Sequence, residues 1–363
     1  MDARGRGTVL NRPLKSPADL VRAGLVGSAA LPALEAVAAR YAVSVTPDLV
    51  DLIDIADPHD PIARQFVPRA EELTTVPEEA ADPIGDDAHS PLPGLVHRYP
   101  DRVLLKPLHV CPVYCRFCFR RERVGPEGLG TLTEAELDAA FAYIAGRPEI
   151  WEVVVTGGDP FALSPRRLAR IAAALQAIPH VRVLRFHTRV PVVDPAAVTD
   201  GLVAALKAFE GAVFVALHAN HPREFTPAAA RAIARLVDAG IPIVSQTVLL
   251  AGVNDEAETL GLLMRTFVEH RIKPYYLHHG DLAPGTGHLR TDLAEGRALM
   301  TQLRGRLSGL AQPLYVLDIP GGHGKVPVGP DYLRATAQGW QVEDPHGKLH
   351  AYPPAPIDPP KPV

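Results

Sequence analysis

All three cysteines of this 363-residue chain fall in one short run, Cys111-Pro-Val-Tyr-Cys115-Arg-Phe-Cys118. Three thiols at C-x3-C-x2-C spacing can converge on one metal centre. Thiolates are the usual ligands of iron–sulfur clusters, and a four-iron cluster normally takes four of them. Three protein ligands would leave one iron open to hold a second molecule for chemistry. Two plainer readings stand beside this one. The thiols could be inert and buried, as free cysteines often are, or they could bind zinc with His109 as a fourth ligand.

Other residues able to do chemistry lie far along the chain. Asp281 and Asp318 are carboxylates able to pair with an ammonium group or with local arginines. Gly321-Gly-His-Gly-Lys325 presents a lysine behind a glycine-rich loop. A lysine so placed suits covalent capture of an aldehyde, the usual anchoring of pyridoxal phosphate. Tyr99 and Arg102 could contact a phosphate. Arg120 and Arg121 form a charge pair, of which Arg120 could fork onto a carboxylate. Gly157-Gly158 reads as an ordinary turn or as a close approach of backbone to a ligand. His218 and His221 read as satisfied polar groups or as site residues.

The elements that must position these residues alternate. From Val103 onward the chain reads as a strand at Val103–Leu108, then a helix from the capping box Thr133-Glu-Ala-Glu136 to about Ala145. Strands follow at 151–156, 181–186, 212–217, 241–246 and 274–278. Helices follow them at 164–177, 195–209, 226–239, 255–269 and 293–307. Leu314–Leu317 is a candidate seventh strand. Near-continuous apolar strands alternating with helices predict a parallel sheet covered by helices. No glycine-rich dinucleotide turn follows the first strand, so the series predicts an α/β fold of the partial (β/α)6, TIM-like barrel kind. Strand carboxyl ends then carry the site. The cysteine loop, Gly157-Gly158, His187-Thr-Arg189, His218, Gln246, Asp281 and Asp318 all fall there.

Three segments are expected: a helical arm with a linker over 1–90, the barrel over 91–330, and a Pro-rich extension over 331–363. The arm shows no chemistry and reads as a packing element, with 71–90 an acidic surface linker. Residues 353–363 read as a poorly ordered tail. Net charge is −4 and hydrophobic residues make up 47%. This predicts no basic field for nucleic acid or anionic membrane, and no apolar run long enough for a membrane span. Met1 to Ser16 lacks the apolar stretch of a secretory signal. Three cysteines clustered as metal ligands point to the reducing cytoplasm.

Together the motifs resemble a known family. The cysteine run and the Gly-Gly-Asp-Pro turn on a partial barrel look like a radical S-adenosylmethionine enzyme. His97-Arg-Tyr-Pro-Asp-Arg102, Cys115-Arg-Phe-Cys-Phe-Arg-Arg121, Asn220-His-Pro222, Gln246-Thr-Val-Leu-Leu-Ala-Gly-Val-Asn-Asp255 and Asp318-Ile-Pro-Gly-Gly-His-Gly-Lys325 narrow it to the lysine 2,3-aminomutases. The resemblance implies an isomerase that moves the amino group of lysine between C2 and C3. One-electron cleavage of S-adenosylmethionine would give a 5′-deoxyadenosyl radical, while pyridoxal phosphate, first held on Lys325, would carry the migrating nitrogen. It implies that Cys111, Cys115 and Cys118 hold a [4Fe-4S] cluster, and that Gly157, Gly158, His218 and Gln246 contact S-adenosylmethionine. Tyr99, Arg102 and Lys325 would hold pyridoxal phosphate. Arg120 would bind the substrate carboxylate, and Asp281 and Asp318 its ε-ammonium.

The resemblance further implies a reductase, flavodoxin or ferredoxin as electron donor, and admits a homo-oligomer. Longer relatives carry extra cysteines for a structural zinc; this chain has none, so that zinc is expected to be absent. His278 stands where the long enzymes tend to have Tyr, and His323 interrupts the glycine run. The short, zinc-free form is similar to aminomutases that supply β-lysine for elongation factor P. Another amino acid as substrate is a second alternative, and a non-catalytic iron–sulfur protein for electron transfer or redox sensing is a third.

Overall fold

The computed structural model describes residues 12–125, 130–337 and 339–354. Its main sheet has nine strands: β1 (Leu95–Tyr99), β2 (Arg102–Leu108), β3 (Glu152–Gly157), β4 (Val183–Thr188), β5 (Ala212–His218), β6 (Ile243–Val248), β7 (Ile272–His278), β8 (Leu314–Ile319) and β9 (Gly324–Pro327). They lie side by side in chain order. β2 to β8 pair in parallel, and β1 and β9 flank them antiparallel. The partial barrel is therefore present, and the candidate seventh strand is real. A hydrogen bond from the Lys325 backbone N–H to the Tyr99 hydroxyl, 2.8 Å, joins the two edges.

Local chemistry explains the helices between these strands. Thr133 and Glu136 form the expected capping box of Glu134–Ala145. Ser164 and Thr226 cap Pro165–Gln176 and Pro227–Asp238, each with proline in the first turn, where its missing N–H costs nothing. Each such cap stabilises its helix by about 1 kcal/mol. The helix expected over 195–209 is instead two pieces, a 3₁₀ turn at Pro195–Ala197 and a helix at Asp200–Leu206. The break falls at Thr199, whose hydroxyl accepts from Leu202 N–H and starts the second piece. β4 begins two residues later than expected, so His187 and Thr188 are its last residues and Arg189 is the first of the following turn.

Val153, Val154 and Val155 are all buried, as expected of a strand covered on both faces. Arm residues Leu20, Leu49, Ile62 and Phe66 belong to the same core as these strands. Burying an aliphatic side chain of this kind contributes about 1.5–3 kcal/mol, so the arm is integral to the fold. It includes the helix Pro61–Phe66, capped by Asp60. Unexpected is a three-stranded antiparallel sheet, β10 (Leu333–Thr336), β11 (Gly339–Glu343) and β12 (Leu349–Tyr352), in the segment read as a Pro-rich extension. Most of the expected tail, 355–363, lies outside the described residues. Among the described residues, no helix is long and apolar enough to cross a membrane.

Candidate active site

The cysteine loop leaves the end of β2 and is held from behind by the arm. Tyr114 N–H donates to Ser44 O (3.2 Å), Ser44 Oγ to Pro112 O (2.7 Å), and Arg116 N–H to Gln65 O (2.8 Å). Arg116, inside the C-x2-C turn, is 1% exposed and pairs with Glu72, which is fully buried. Arg121 shares the same carboxylate and stacks 3.6 Å from the Tyr41 ring. Burial raises the Glu72 pKa, but the two guanidiniums outweigh it and hold the carboxyl below its ordinary range. The segment read as a surface linker thus supplies a buried charge to the metal loop.

The three cysteines are unbridged and partly buried. Burial pushes Cys115 up to about 11 and raises Cys111 and Cys118 as well. The thiols stay protonated until a metal displaces the protons. Among the described residues, no three His, Cys, Asp or Glu side chains converge on a single-ion site. A four-iron cluster takes its thiolates on separate irons rather than on one ion. Arg189 lies 3.6 Å from the Cys115 sulfur. Its other nitrogen donates to Glu224 and Gln65, both at 2.6 Å. A fixed cation beside one sulfur suits an anionic cluster, so the donor set fits the group.

Gly157 and Gly158 do make a close backbone approach, and their neighbour is the cysteine loop. Gly157 has φ +105°, and a Cβ there would lie 2.5 Å from Leu108 O; one on Gly158 would lie 2.3 Å from Val110 O. Gly158 N–H donates to Leu108 O (2.7 Å) and Asp159 N–H to Val110 O (3.1 Å). Asp159 also accepts from Thr188 Oγ1 and Arg189 N–H, both at 2.7 Å, so one turn locks β3, β4 and the metal loop together.

Strand ends β4 to β7 present a row of polar groups. His218 Nε2 lies 3.2 Å from Asn220 Oδ1, and its ring is 5.4 Å from Phe117 of the cysteine loop. Burial, helped by nearby cations, drives His187 and His218 well below the usual histidine range, so both are neutral. Among the described residues, buried His187 Nε2, Gln246 Oε1, His278 Nε2 and Arg120 Nε have no hydrogen-bond partner. An unmet buried polar atom costs about 1–3 kcal/mol. Several on neighbouring strand ends fit a site built to receive polar ligands.

Lys325 completes the other side. Gly321, Gly322 and Gly324 adopt positive φ, which lets the chain turn sharply from β8 into β9. The Lys325 ammonium pairs with Asp318, lies 3.1 Å from His278 Nδ1, and sits 5.5 Å from the centre of the Tyr276 ring. Arg102 stacks 3.9 Å from the Tyr99 ring, and the Tyr99 hydroxyl accepts from the Lys325 backbone N–H. Burial raises the Asp318 pKa, but His278 and Lys325 outweigh it and keep the carboxylate ionised. Asp281 differs: burial and the charge of Asp318 push it up to about 7. Arg120 donates to Asp86 at 2.8 Å, and Asp86 also meets Arg98 (3.1 Å) and Lys106 (3.7 Å).

The structure therefore gathers Tyr99, Arg102, His278, Asp318 and Lys325 at one place, with Asp281 and Arg120 within electrostatic reach. Glu72, Asp86, Gln65 and Glu224 were not foreseen. The cluster of cations at 116, 120 and 121 beside the cysteines was the available signal that buried carboxylates come from elsewhere in the chain.

A family model described as the radical SAM superfamily matches residues 105–263, spanning the cysteine loop and the ends of β2 to β6. That defines the class: a partial-barrel enzyme that binds a [4Fe-4S] cluster and S-adenosylmethionine. A second model, described as lysine-2,3-aminomutase, matches residues 300–352. The L-lysine 2,3-aminomutase of Acetoanaerobium sticklandii is 43% identical over 80% of this chain and 70% of its own length. The L-lysine 2,3-aminomutase of Escherichia coli is 34% identical over 79% and 83%, and the glutamate 2,3-aminomutase of Clostridioides difficile 35% over 83% and 70%. The chain belongs to the lysine 2,3-aminomutase family of radical S-adenosylmethionine enzymes, and is an isomerase.

Proposed function

We propose that this enzyme is a pyridoxal phosphate-dependent lysine 2,3-aminomutase that interconverts L-lysine and β-lysine. The observation that carries it is Lys325 packed against Asp318 and His278, with Asp281 beyond, on the barrel face that also bears the cysteine loop. The cluster and S-adenosylmethionine supply a hydrogen-abstracting radical, and pyridoxal phosphate supplies an aldehyde to carry nitrogen.

The chain's own residues do the rest. Cys111, Cys115 and Cys118 hold the cluster, and Gly157, Gly158, His218 and Gln246 border the S-adenosylmethionine position. Tyr99 and Arg102 present a hydroxyl and a cation to the phosphate, and Lys325 provides the amine. Arg120 carries an unpaired buried Nε suited to a substrate carboxylate. Asp281 and Asp318 put two carboxylates where a substrate side chain would end. They attract the ε-ammonium of lysine and repel the side-chain carboxylate of glutamate. The relatives named for lysine support the same choice. An external one-electron donor of the flavodoxin, ferredoxin or reductase kind, acting in the cytoplasm, completes the reading.

The test is anaerobic reconstitution with iron, sulfide, pyridoxal phosphate, S-adenosylmethionine and a reductant, followed by product analysis with single amino acids. β-Lysine from lysine is expected, with loss of iron and turnover in Cys115→Ala. Formation of β-glutamate from glutamate, with lysine inert, would overturn the assignment.

A further inference from the structure

His278 is the last residue of β7 and is 8% exposed. Its Nδ1 faces two groups at once, the Lys325 ammonium at 3.1 Å and the Asp318 carboxylate at 3.5 Å. An ammonium only donates, so toward Lys325 this nitrogen accepts, and the neutral ring then carries its proton on Nε2. Nε2 is buried and has no hydrogen-bond partner among the described residues. Nδ1 thus has an acceptor's partner before proton transfer and a carboxylate to receive its N–H afterwards.

We propose that His278 is a catalytic residue of cofactor capture, taking a proton from Lys325 at Nδ1 and returning it to the oxygen that leaves. The inference rests on the pyridoxal reading above. Joining an ammonium to an aldehyde gives a protonated carbon–nitrogen double bond and one water. A C–N bond forms and the C–O bond breaks. Two of the three ammonium protons depart with the oxygen, and no oxidant or reductant is consumed. One of those protons must leave Nζ before its lone pair can attack, and His278 carries that one. Asp318 stabilises the imidazolium while it exists, as a carboxylate beside an acting histidine does.

Every charged or titratable neighbour bears on this histidine. Lys325 reaches it from β9, Asp318 from β8, His187 and His218 from β4 and β5, and Tyr276 from its own strand, with ring centres 5.6 Å apart. Asp281 lies three residues beyond. Burial and the Lys325 charge lower the histidine pKa, which leaves the ring neutral and able to accept near pH 7. A phenol at this position would hold its proton to about pH 10 and could not act this way.

The experiment mixes metal-free full-length protein with pyridoxal phosphate and follows the cofactor's visible absorbance by stopped flow from pH 5 to 9. Borohydride trapping and peptide mass locate the adduct, and equilibrium titration gives affinity. In wild type the rate should fall only below the ordinary histidine range. In His278→Gln it should drop about 10²-fold at pH 7, within the usual range for general acid–base catalysis, and climb with pH as hydroxide takes over the proton removal. Affinity at equilibrium should change little, and added imidazole should restore rate to His278→Ala. Wild-type rate and profile in His278→Gln would overturn the proposal alone. Equal losses of rate and affinity, unrescued by imidazole, would make the residue structural and overturn it too. No adduct on Lys325 in wild type would overturn both this proposal and the pyridoxal reading.

Discussion

Replacing Glu72 by Gln isolates the charge that anchors the metal loop. Glu72 is fully buried, and Arg116 and Arg121 have side chains only 1% and 4% exposed. Arg116 Nε meets both carboxylate oxygens at 3.0 Å. The amide is nearly isosteric but neutral, so two guanidiniums stay buried without a counter-charge, and one amide N–H₂ is turned toward them. Breaking a buried pair from one side costs about 3–5 kcal/mol. Arg121 keeps the carbonyls of Arg116 and Gly285 at 2.8 and 3.1 Å, and Arg116 keeps Ala42 O at 2.8 Å, which places the expectation near 3 kcal/mol, at the lower end of that range. The assay is urea unfolding of metal-free protein, paired with iron and sulfide content after anaerobic reconstitution. The destabilisation should shrink as pH falls below about 4, because Glu72 has a depressed pKa and its stabilisation is present above the unfolded value and lost as the wild-type carboxyl protonates. Iron content should fall as well, since Arg116 lies between Cys115 and Cys118, two of the proposed ligands. A loss below about 1 kcal/mol with full iron content would refute the claim that this buried charge holds the loop; such a value is typical of an exposed pair.

Two other predictions concern the loop and the substrate end. Gly158→Ala puts a methyl 2.3 Å from Val110 O, against backbone that cannot step aside. It should destabilise the fold by about 1–3 kcal/mol and reduce iron incorporation, measured by the same two assays. Asp281, with its pKa pushed up to about 7 by burial and by Asp318, is protonated more readily in the folded state than in the unfolded one. Its ionisation therefore costs stability as pH rises from about 4 through 7. The same ionisation supplies a carboxylate to an ammonium, so the KM for lysine should fall as pH rises through about 7, and Asp281→Asn should abolish that dependence in steady-state assays.

Much of the architecture was legible along the chain because it is written in neighbouring residues. Alternating apolar runs and capped helices showed the barrel, and Thr133 with Glu136 marked one helix start to the residue. The helix over 195–209 was misjudged because its apolar spacing continues through Thr199, where a hydroxyl cap restarts the chain. β1 and β9 were missed because each is short and gains its partner only from an adjoining strand, as edges do. The sheet β10 to β12 was missed because its faces are largely exposed, leaving little apolar periodicity to read.

The sequence alone determined the inventory of the candidate site. Three cysteines at cluster spacing, a glycine-borne lysine and two aspartates are local facts, and strand ends are where a parallel barrel must put them. Which distant groups pair was decided only by the tertiary structure. Glu72 meets Arg116 across 44 residues, Asp86 meets Arg120 across 34, and Tyr99 meets Lys325 across 226. Propensity, capping and periodicity act between near neighbours. Burial and charge pairing depend on which loops the closing sheet brings face to face, and the acidic stretch that looked solvated became the counter-charge of the metal loop for that reason.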